Sequence, residues 1–521
     1  MILTLAPPET ALKVSIVVPA RNEEELVGGC LQALATQLEV SPEEYEVLLV
    51  LDHCTDGTEE KARKVADEYP LLRLHLLDGP GKGAGHARRV GMEAACARLL
   101  SLGREDGLIA STDADTIVAP DWLSSQLSAA SRGARAIGGR IELSEKAGLP
   151  DEVSRWRAEQ GHKRHLDLLK DLETVQESPA RTEHWQFSGA SLALTAATYR
   201  EIGGLEPRAA LEDEYLERVL RQRSIPIERP LSVRVVTSDR LAGRAHRGLS
   251  RDLALISWSR RNTCHARDFI EKNVLSIKNK SVSLILPAAF SASQAGELRR
   301  LESSGLVDEV IPADPNALAS DYGVVRGLGD LLWRTLSAAG CEIAVVLDPT
   351  NLDLRSVAGL LGALFSRDDL RMVKGFQDSS APPPLTELLA RPLINLYTPE
   401  LAGFSRPLSL DFAADRALLD SLSFPVGEGV RLSLLLDVAE KAGVQALAQV
   451  ELDGEAMQDQ ENDGEAAYQI LTAATSRALG PEKLDDYAPG SLILPQPERL
   501  ESRRVALEER PPLASLRMHK S

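Results

Sequence analysis

From Lys13 onward, apolar runs of strand length alternate with stretches whose apolar residues recur at helical spacing. Val14-Ser15-Ile16-Val17-Val18 is followed by a helical pattern from Glu23 to Ala35. This alternation predicts an α/β unit of parallel strands joined by crossover helices. A second run, Tyr45 to Leu51, ends in Asp52-His53-Cys54-Thr55-Asp56-Gly57-Thr58. A third, Leu71 to Leu77, ends in Asp78-Gly79-Pro80-Gly81-Lys82-Gly83, and a fourth, Leu108 to Ser111, runs into Asp113-Ala114-Asp115. Ligands of open α/β sheets lie beyond the carboxyl ends of the strands, so these polar clusters are expected to build one site.

Near residue 280 the pattern restarts. Ser281-Val282-Ser283-Leu284-Ile285-Leu286-Pro287 echoes Val14 to Pro19, and Glu342-Ile343-Ala344-Val345-Val346-Leu347-Asp348 echoes the strand leading to Asp113. An internal duplication of one α/β unit follows. The 521 residues also exceed the roughly 250–300 that one core serves. The expected domains are 1–280 and 281–500, with Lys278-Asn279-Lys280 as the junction and a charged, poorly ordered tail over 501–521.

Composition narrows the partners. With 43% apolar and 26% charged residues, and no apolar run near the roughly 18 residues of a membrane span, the chain reads as soluble. Met1 to Thr10 lack a secretory pattern, so the cytoplasm is the expected location. Five dispersed cysteines without a Cys-x-x-Cys argue against disulfides and zinc. A net charge of −18 disfavours a nucleic-acid surface or anionic lipid. The local exception, Arg155 to Lys170 with Trp156, is read as a solvated amphipathic helix.

The clusters suit a nucleotide-diphosphate sugar, whose two phosphates need neutralising before the glycosidic oxygen can leave. Asp113 and Asp115, one residue apart after a strand, suit a divalent ion with oxygen ligands. Gly79 to Gly83 offers backbone that can approach phosphate closely, with Lys82 and Arg88 as cations, although a plain strand-to-helix turn has the same residues. Glu212-Asp213-Glu214 is either helix-terminus charge or the source of a general base. His246 is either exposed or a metal ligand, and Trp185 and Phe187 form either core or an acceptor wall.

In this order the pieces resemble the family 2 glycosyltransferases of GT-A fold over about residues 13–250. The resemblance rests on residues 14–24, the Asp52-to-Thr58 turn, Gly81-Lys82-Gly83 to Arg88, Asp113-Ala114-Asp115, Phe187-Ser188-Gly189-Ala190 and Glu212-Asp213. It implies that Pro19, Arg21, Glu23 and Asp52 line a nucleoside pocket, with Lys82, Arg88 and Asp113 also on the donor side. Asp113 and Asp115 would hold the diphosphate through Mg²⁺ or Mn²⁺; apart from the resemblance, the place of His246 after the base segment suits it to complete the metal shell or touch phosphate. Asp213 would be the base of an inverting reaction, and Trp185, Gly189 and Glu212 would face the acceptor. The strand-end pair is Leu51-Asp52 rather than two acids, which leaves the nucleotide open. The Gln-x-x-Arg-Trp of processive synthases is absent, with Ser257-Trp258-Ser259-Arg260-Arg261 near its place, so single-sugar transfer is expected.

Residues 281–480 resemble glucosyl-3-phosphoglycerate synthases, also of GT-A fold. The likeness lies in Met372-Val373-Lys374-Gly375-Phe376, Leu385 to Leu393, Pro399-Glu400-Leu401 and Ala446 to Val450. The chemistry-bearing positions of that family are replaced: Ala289-Phe290-Ser291, Gly327-Leu328-Gly329, Asp348-Pro349-Thr350 and Met457 stand there instead. Lys374, Thr386, Glu387 and Arg391 would lie near an acceptor or a dimer surface. The expected architecture is therefore two tandem, Rossmann-like GT-A domains, the second silent and packing, dimerising or supplying acceptor contacts. The expected activity is transfer to a small or lipid-linked hydroxyl acceptor. Its rivals are synthesis of a glycosylated phosphoglycerate, a nucleotide-sugar sensor or scaffold, which an intact Asp213 disfavours, and a nucleotidyltransferase.

Overall fold

Strands β1 (Val14–Ala20) and β2 (Tyr45–Leu51) of the computed structural model are buried along their whole length, as strands covered on both faces must be. The structure describes residues 5–518 except 145–150, 175–180, 209–210, 239, 241–248, 288–293, 379–382, 454–463, 486–489 and 497–498. The chain divides into two units, 1–254 and 255–521.

In the first unit β3 (Leu74–Asp78), β4 (Leu108–Ser111), β6 (Ala136–Gly138), β8 (Leu192–Thr195) and β9 (Ile227–Glu228) complete a sheet of order β3-β2-β1-β4-β8-β6-β9, while β5 (Thr116–Val118), β7 (Arg140–Leu143) and β10 (Arg234–Thr237) form a second one, β5-β10-β7. In the large sheet β8 runs antiparallel to both neighbours and the other pairs are parallel. Its helices are α1 (Val27–Ala35), α2 (Thr58–Glu68), α3 (Ala84–Ser101), α4 (Trp122–Ser131), α5 (Asp151–Thr174), α6 (Ala196–Glu201) and α7 (Glu212–Gln222). Side-chain alternation splits the core. Val14, Ile16 and Val18 pack with α1, α2 and α4, whereas Val17 packs with α3, α6 and α7. Helix α1 starts four residues later than its periodicity suggests, because Glu23 and Glu24 are spent on the turn after β2. The Glu23 amide donates to Thr58 Oγ1 (2.7 Å), and Glu24 Oε2 accepts from the Gly57 amide (2.7 Å).

A buried carboxylate ties β1, β2 and α3 together. Arg98 forks onto Glu46 at 2.7 and 2.6 Å, Ser15 Oγ donates to Glu46 Oε1 at 2.6 Å, and Arg98 also reaches the Ala6 carbonyl. Burial alone would raise the Glu46 pKa, but bonds from His75, Arg98 and Ser15 outweigh it and bring it down to about 2.

The second unit contains β11 (Thr263–His265), β12 (Val282–Leu286), β13 (Glu309–Pro312), β14 (Ile343–Val346), β15 (Met372–Phe376), β16 (Phe412–Asp415) and β18 (Leu447–Glu451) in the order β11-β18-β15-β16-β14-β12-β13; β17 (Phe424–Pro425) lies outside this sheet. Six neighbours, β13-β12-β14-β16-β15-β18, repeat the order and directions of β2-β1-β4-β8-β6-β9. Even the caps agree, since Thr195 and Asp415 both end the antiparallel strand and cap the next helix. The division falls before the expected junction because β11 pairs with β18.

The tail is also better anchored than its composition suggests. Strands β19 (Ser491–Gln496) and β20 (Arg499–Arg504) form a hairpin, and β21 (Glu509–Arg510) pairs with β17. Arg510 donates to both oxygens of Asp330 (2.8 and 2.7 Å), Trp333 Nε1 donates to the Pro511 carbonyl (2.8 Å), and Leu513 is buried. A wholly buried carboxylate such as Asp330 requires cationic partners, and Arg510 supplies one alongside Arg334. Among the described residues no helix is long and apolar enough to cross a membrane.

Candidate active site

The carboxyl ends of β1, β2 and β4 open into a cleft of about 850 Å³. Pro19, Arg21, Glu23, Asp52, Arg88, Asp113, Asp115, Trp185, Gly189, Glu212 and Asp213 all line it. Lys82 does not; its side chain is exposed outside the cleft. His246 lies outside the described residues.

Asp52, expected against a nucleoside, is occupied by the chain itself. Its two oxygens accept from the amides of Gly81 (2.5 Å) and Gly83 (3.0 Å), so it ties down the glycine-rich loop. Gly81 and Gly83 have φ of +71° and +103°, and a Cβ on Gly81 would sit 2.5 Å from the His53 ring. Arg21 remains half-exposed, 4.0 Å from Asp52.

Between Asp113 and Asp115, Ala114 turns into the core while both acids line the cleft. Arg88, only 2% exposed, fixes Asp113: Nη2 donates to Asp113 Oδ1 (2.7 Å), Nε to Glu212 Oε1 (3.0 Å), and Nη1 to the Gly189 carbonyl (3.1 Å) and Ser111 Oγ. Burial opposes its charge, but Asp113 and Glu212 raise its pKa above the ordinary value. Arg88 and Glu212, expected to meet donor and acceptor, are thus engaged with each other and with the protein. Gly189 is required here because a Cβ would lie 2.3 Å from Arg88 Nη2.

Asp213 follows Glu212 in the first turn of α7, where the helix dipole favours an anion. Its Oδ2 accepts from the Gly189 amide and its Oδ1 from the Glu214 amide, both at 2.9 Å. Trp185 lies under the Arg164 guanidinium (4.7 Å) at the cleft wall, and Phe187, largely buried in the core, also lines the cleft. The helix carrying Arg164 exposes Lys163 and Lys170 and buries Leu168, as an amphipathic helix should.

Sequence reasoning missed Arg240. Strand β10 pairs antiparallel with β5, Thr237 opposite Thr116, and their hydroxyls bond at 2.9 Å. The chain leaving β10 therefore runs beside Asp115. Arg240 forks onto Glu23 (2.9 and 2.9 Å) and reaches Asp115 Oδ2 (2.9 Å). No short motif marks it; only strand register places it there. Burial and the Asp113 charge, with a further contribution from Glu23, push the Asp115 carboxyl up to about 6 against the pull of Arg240. Among the described residues no cluster of three or more metal-ligating side chains occurs. The two aspartates suit Mg²⁺ or Mn²⁺ nonetheless, because such ions commonly take one or two carboxylates and complete their shell with substrate phosphates.

The second unit can be aligned with the first by register. Val14 pairs with Leu108 as Val282 pairs with Ile343, which puts Asp348 and Thr350 where the first unit has Asp113 and Asp115. Gly83 and Gly327 each precede a helix, and Cβ atoms on Gly85 and Gly329 would strike the backbone oxygens of Arg208 and Pro425. Gly327 therefore corresponds to Gly83, Leu332 to Arg88, Val430 to Glu212 and Arg431 to Asp213. A different cation fills the gap: buried Lys374 donates to the Ser409 carbonyl (2.5 Å), the counterpart of Gly189. Thr386 is buried too, and Arg391 is engaged by Glu387 and the Phe404 and Ser405 carbonyls. Trp258 is buried in the second unit's core.

A model of the glycosyl transferase family 2 matches residues 15–181. The chain is 40% identical over 145 residues to the glucosyl-3-phosphoglycerate synthase of Petrotoga mobilis, covering 26% of this chain and 45% of that relative, less than half its length. It is 30% identical over 286 residues to the Mycobacterium tuberculosis enzyme of the same name, covering 46% and 86%. The crystal structure of that mycobacterial synthase with Mn²⁺ and UDP-glucose aligns with 48% of this chain and 95% of its own, at 30% identity and a TM-score of 0.41. Mannosyl-3-phosphoglycerate synthase from Rubrobacter xylanophilus aligns with 50% and 98%, at 26% identity and a TM-score of 0.46. The protein belongs to the family 2 glycosyl transferases and is a glycosyltransferase.

Proposed function

We propose that the first unit moves one sugar from a nucleotide-diphosphate sugar to a hydroxyl acceptor with inversion at the anomeric carbon. The observation that carries this is the placement of Asp113, Asp115 and Asp213 around one cleft, with Arg88 holding Asp113 and the first turn of α7 and Arg240 holding Asp115. Asp113 and Asp115 hold Mg²⁺ or Mn²⁺, which when bound supplies the charge that lets the diphosphate leave. Pro19, Arg21 and Glu23 flank the donor, and Trp185 walls the acceptor side. Asp213 takes the proton from the acceptor hydroxyl as that oxygen bonds the anomeric carbon, and the bond from this carbon to the diphosphate oxygen breaks, releasing the nucleoside diphosphate.

The second unit is a GT-A-type copy without catalysis. Arg431 in place of Asp213 provides no base, and Thr350 in place of Asp115 is a poor ligand for a hard divalent ion. A narrower reading is glucosyl transfer to 3-phosphoglycerate, favoured by the name of the mycobacterial relative; a small or lipid-linked alcohol is the broader acceptor reading.

The test is Mn²⁺-dependent release of nucleoside diphosphate from UDP-glucose, GDP-mannose and related donors, with and without 3-phosphoglycerate. Release by the wild type that Asp113→Ala abolishes is expected, and stimulation by 3-phosphoglycerate selects the narrower reading. Tight donor binding without turnover under any acceptor would replace the transferase reading with a sensor.

A further inference from the structure

Arg240 stands where the proposed metal site needs positive charge. Its two terminal nitrogens span Glu23 and Asp115 with three contacts of 2.9 Å. Its Nε–H is buried and has no acceptor among the described residues, so the guanidinium still has a donor to place. A divalent ion on Asp115 would lie within a few ångströms of this cation, and the two like charges repel at that range, which weakens the ion's hold on the carboxylate. The diphosphate of a donor offers the alternative partner, since a guanidinium fork matches phosphate oxygens as well as carboxylate.

We propose that Arg240 is a resident cation that neutralises Asp115 and Glu23 in the metal-free site and yields Asp115 to the divalent ion, the displaced guanidinium passing to the donor's diphosphate. Arg240 thereby couples metal entry to donor binding: the ion alone must compete with a built-in cation, whereas ion and nucleotide together give every charge a partner. This inference rests on the metal-dependent reading of the site. A structural role, in which Arg240 only steadies two carboxylates, makes no such coupling.

The experiment measures Mn²⁺ affinity of the full-length protein by the electron paramagnetic resonance of free Mn²⁺, with and without UDP or GDP. In Arg240→Met the affinity for Mn²⁺ alone is expected to rise about tenfold or more, while the enhancement by nucleotide shrinks, because removing the competitor exposes the carboxylates. Arg240→Lys should fall between, since one ammonium cannot fork across both acids. In the wild type, labelling of Arg240 by phenylglyoxal, read by peptide mass, should quicken with Mn²⁺ and slow again when UDP or GDP is added. This arm holds even if Arg240→Met does not fold. Metal-only affinity that is unchanged or weaker in Arg240→Met, or labelling indifferent to Mn²⁺, overturns the inference. If Asp115→Asn still abolishes binding of Mn²⁺ with nucleotide, the transferase reading survives that failure; no Mn²⁺ binding to the wild type even with nucleotide overturns both.

Discussion

Arg88 Nη2 lies 2.7 Å from Asp113 Oδ1 while its Nε lies 3.0 Å from Glu212, so one buried cation sets both an acid of the cleft wall and the first turn that carries Asp213. Removing it leaves the buried Glu212 carboxylate without its counter-charge, while Asp113, at the cleft wall, keeps access to water. Arg88→Ala should lose roughly 3–5 kcal/mol of stability, as broken buried pairs do, measured by urea unfolding. The second unit suggests the repair. Replacing the pair by Leu332 and Val430 equivalents, Arg88→Leu with Glu212→Val, should recover much of that loss yet leave no transferase activity. A double variant no more stable than Arg88→Ala would contradict this.

Asp213→Asn preserves shape and can still accept the Gly189 amide. Turnover should fall about 10²- to 10⁴-fold, the usual worth of a general base, while nucleotide affinity in the presence of Mn²⁺ stays near wild type. Wild-type turnover in this variant would remove Asp213 from the chemistry.

The two units should respond differently to the same change. Asp115→Ala is expected to abolish sugar transfer and Asp348→Ala to leave it nearly intact, as initial rates at saturating donor would reveal. Equal losses from both would show that the second unit participates in catalysis.

Glu46 gives an acid-sensitive contribution remote from the cleft. Its folded pKa is lowered from 4.5 to about 2, so the stabilisation is present above the unfolded value and is lost as pH falls from about 4.5 through about 2. The shift corresponds to about 3 kcal/mol. In denaturant titrations at successive pH values, Glu46→Gln should be less stable than the wild type near neutrality, and the difference should shrink over that interval. A gap independent of pH would mean that the loss is one of packing rather than ionisation.

Alternating apolar runs in the sequence by themselves located β1, β2 and β4, because strands buried on both faces leave little freedom in residue type. The echo of Val14 to Pro19 at Ser281 to Pro287 likewise announced the repeated strand order. The acidic loops were legible for the same reason: Asp113, Asp115 and Asp213 sit at element ends, where a polar cluster has no packing explanation. What the tertiary structure decided was the partner of each charge. Arg88 meets Glu212 across 124 positions of chain and Arg240 meets Glu23 across 217, and no local pattern encodes such pairs. Asp52 looked like a ligand residue and is held by the amides of Gly81 and Gly83; Arg510 looked like part of a loose tail and is held by Asp330. The physical reason is common to all four. A side chain's chemistry is local, but whether it faces ligand or protein depends on which counter-charge the folded chain brings within about 3 Å.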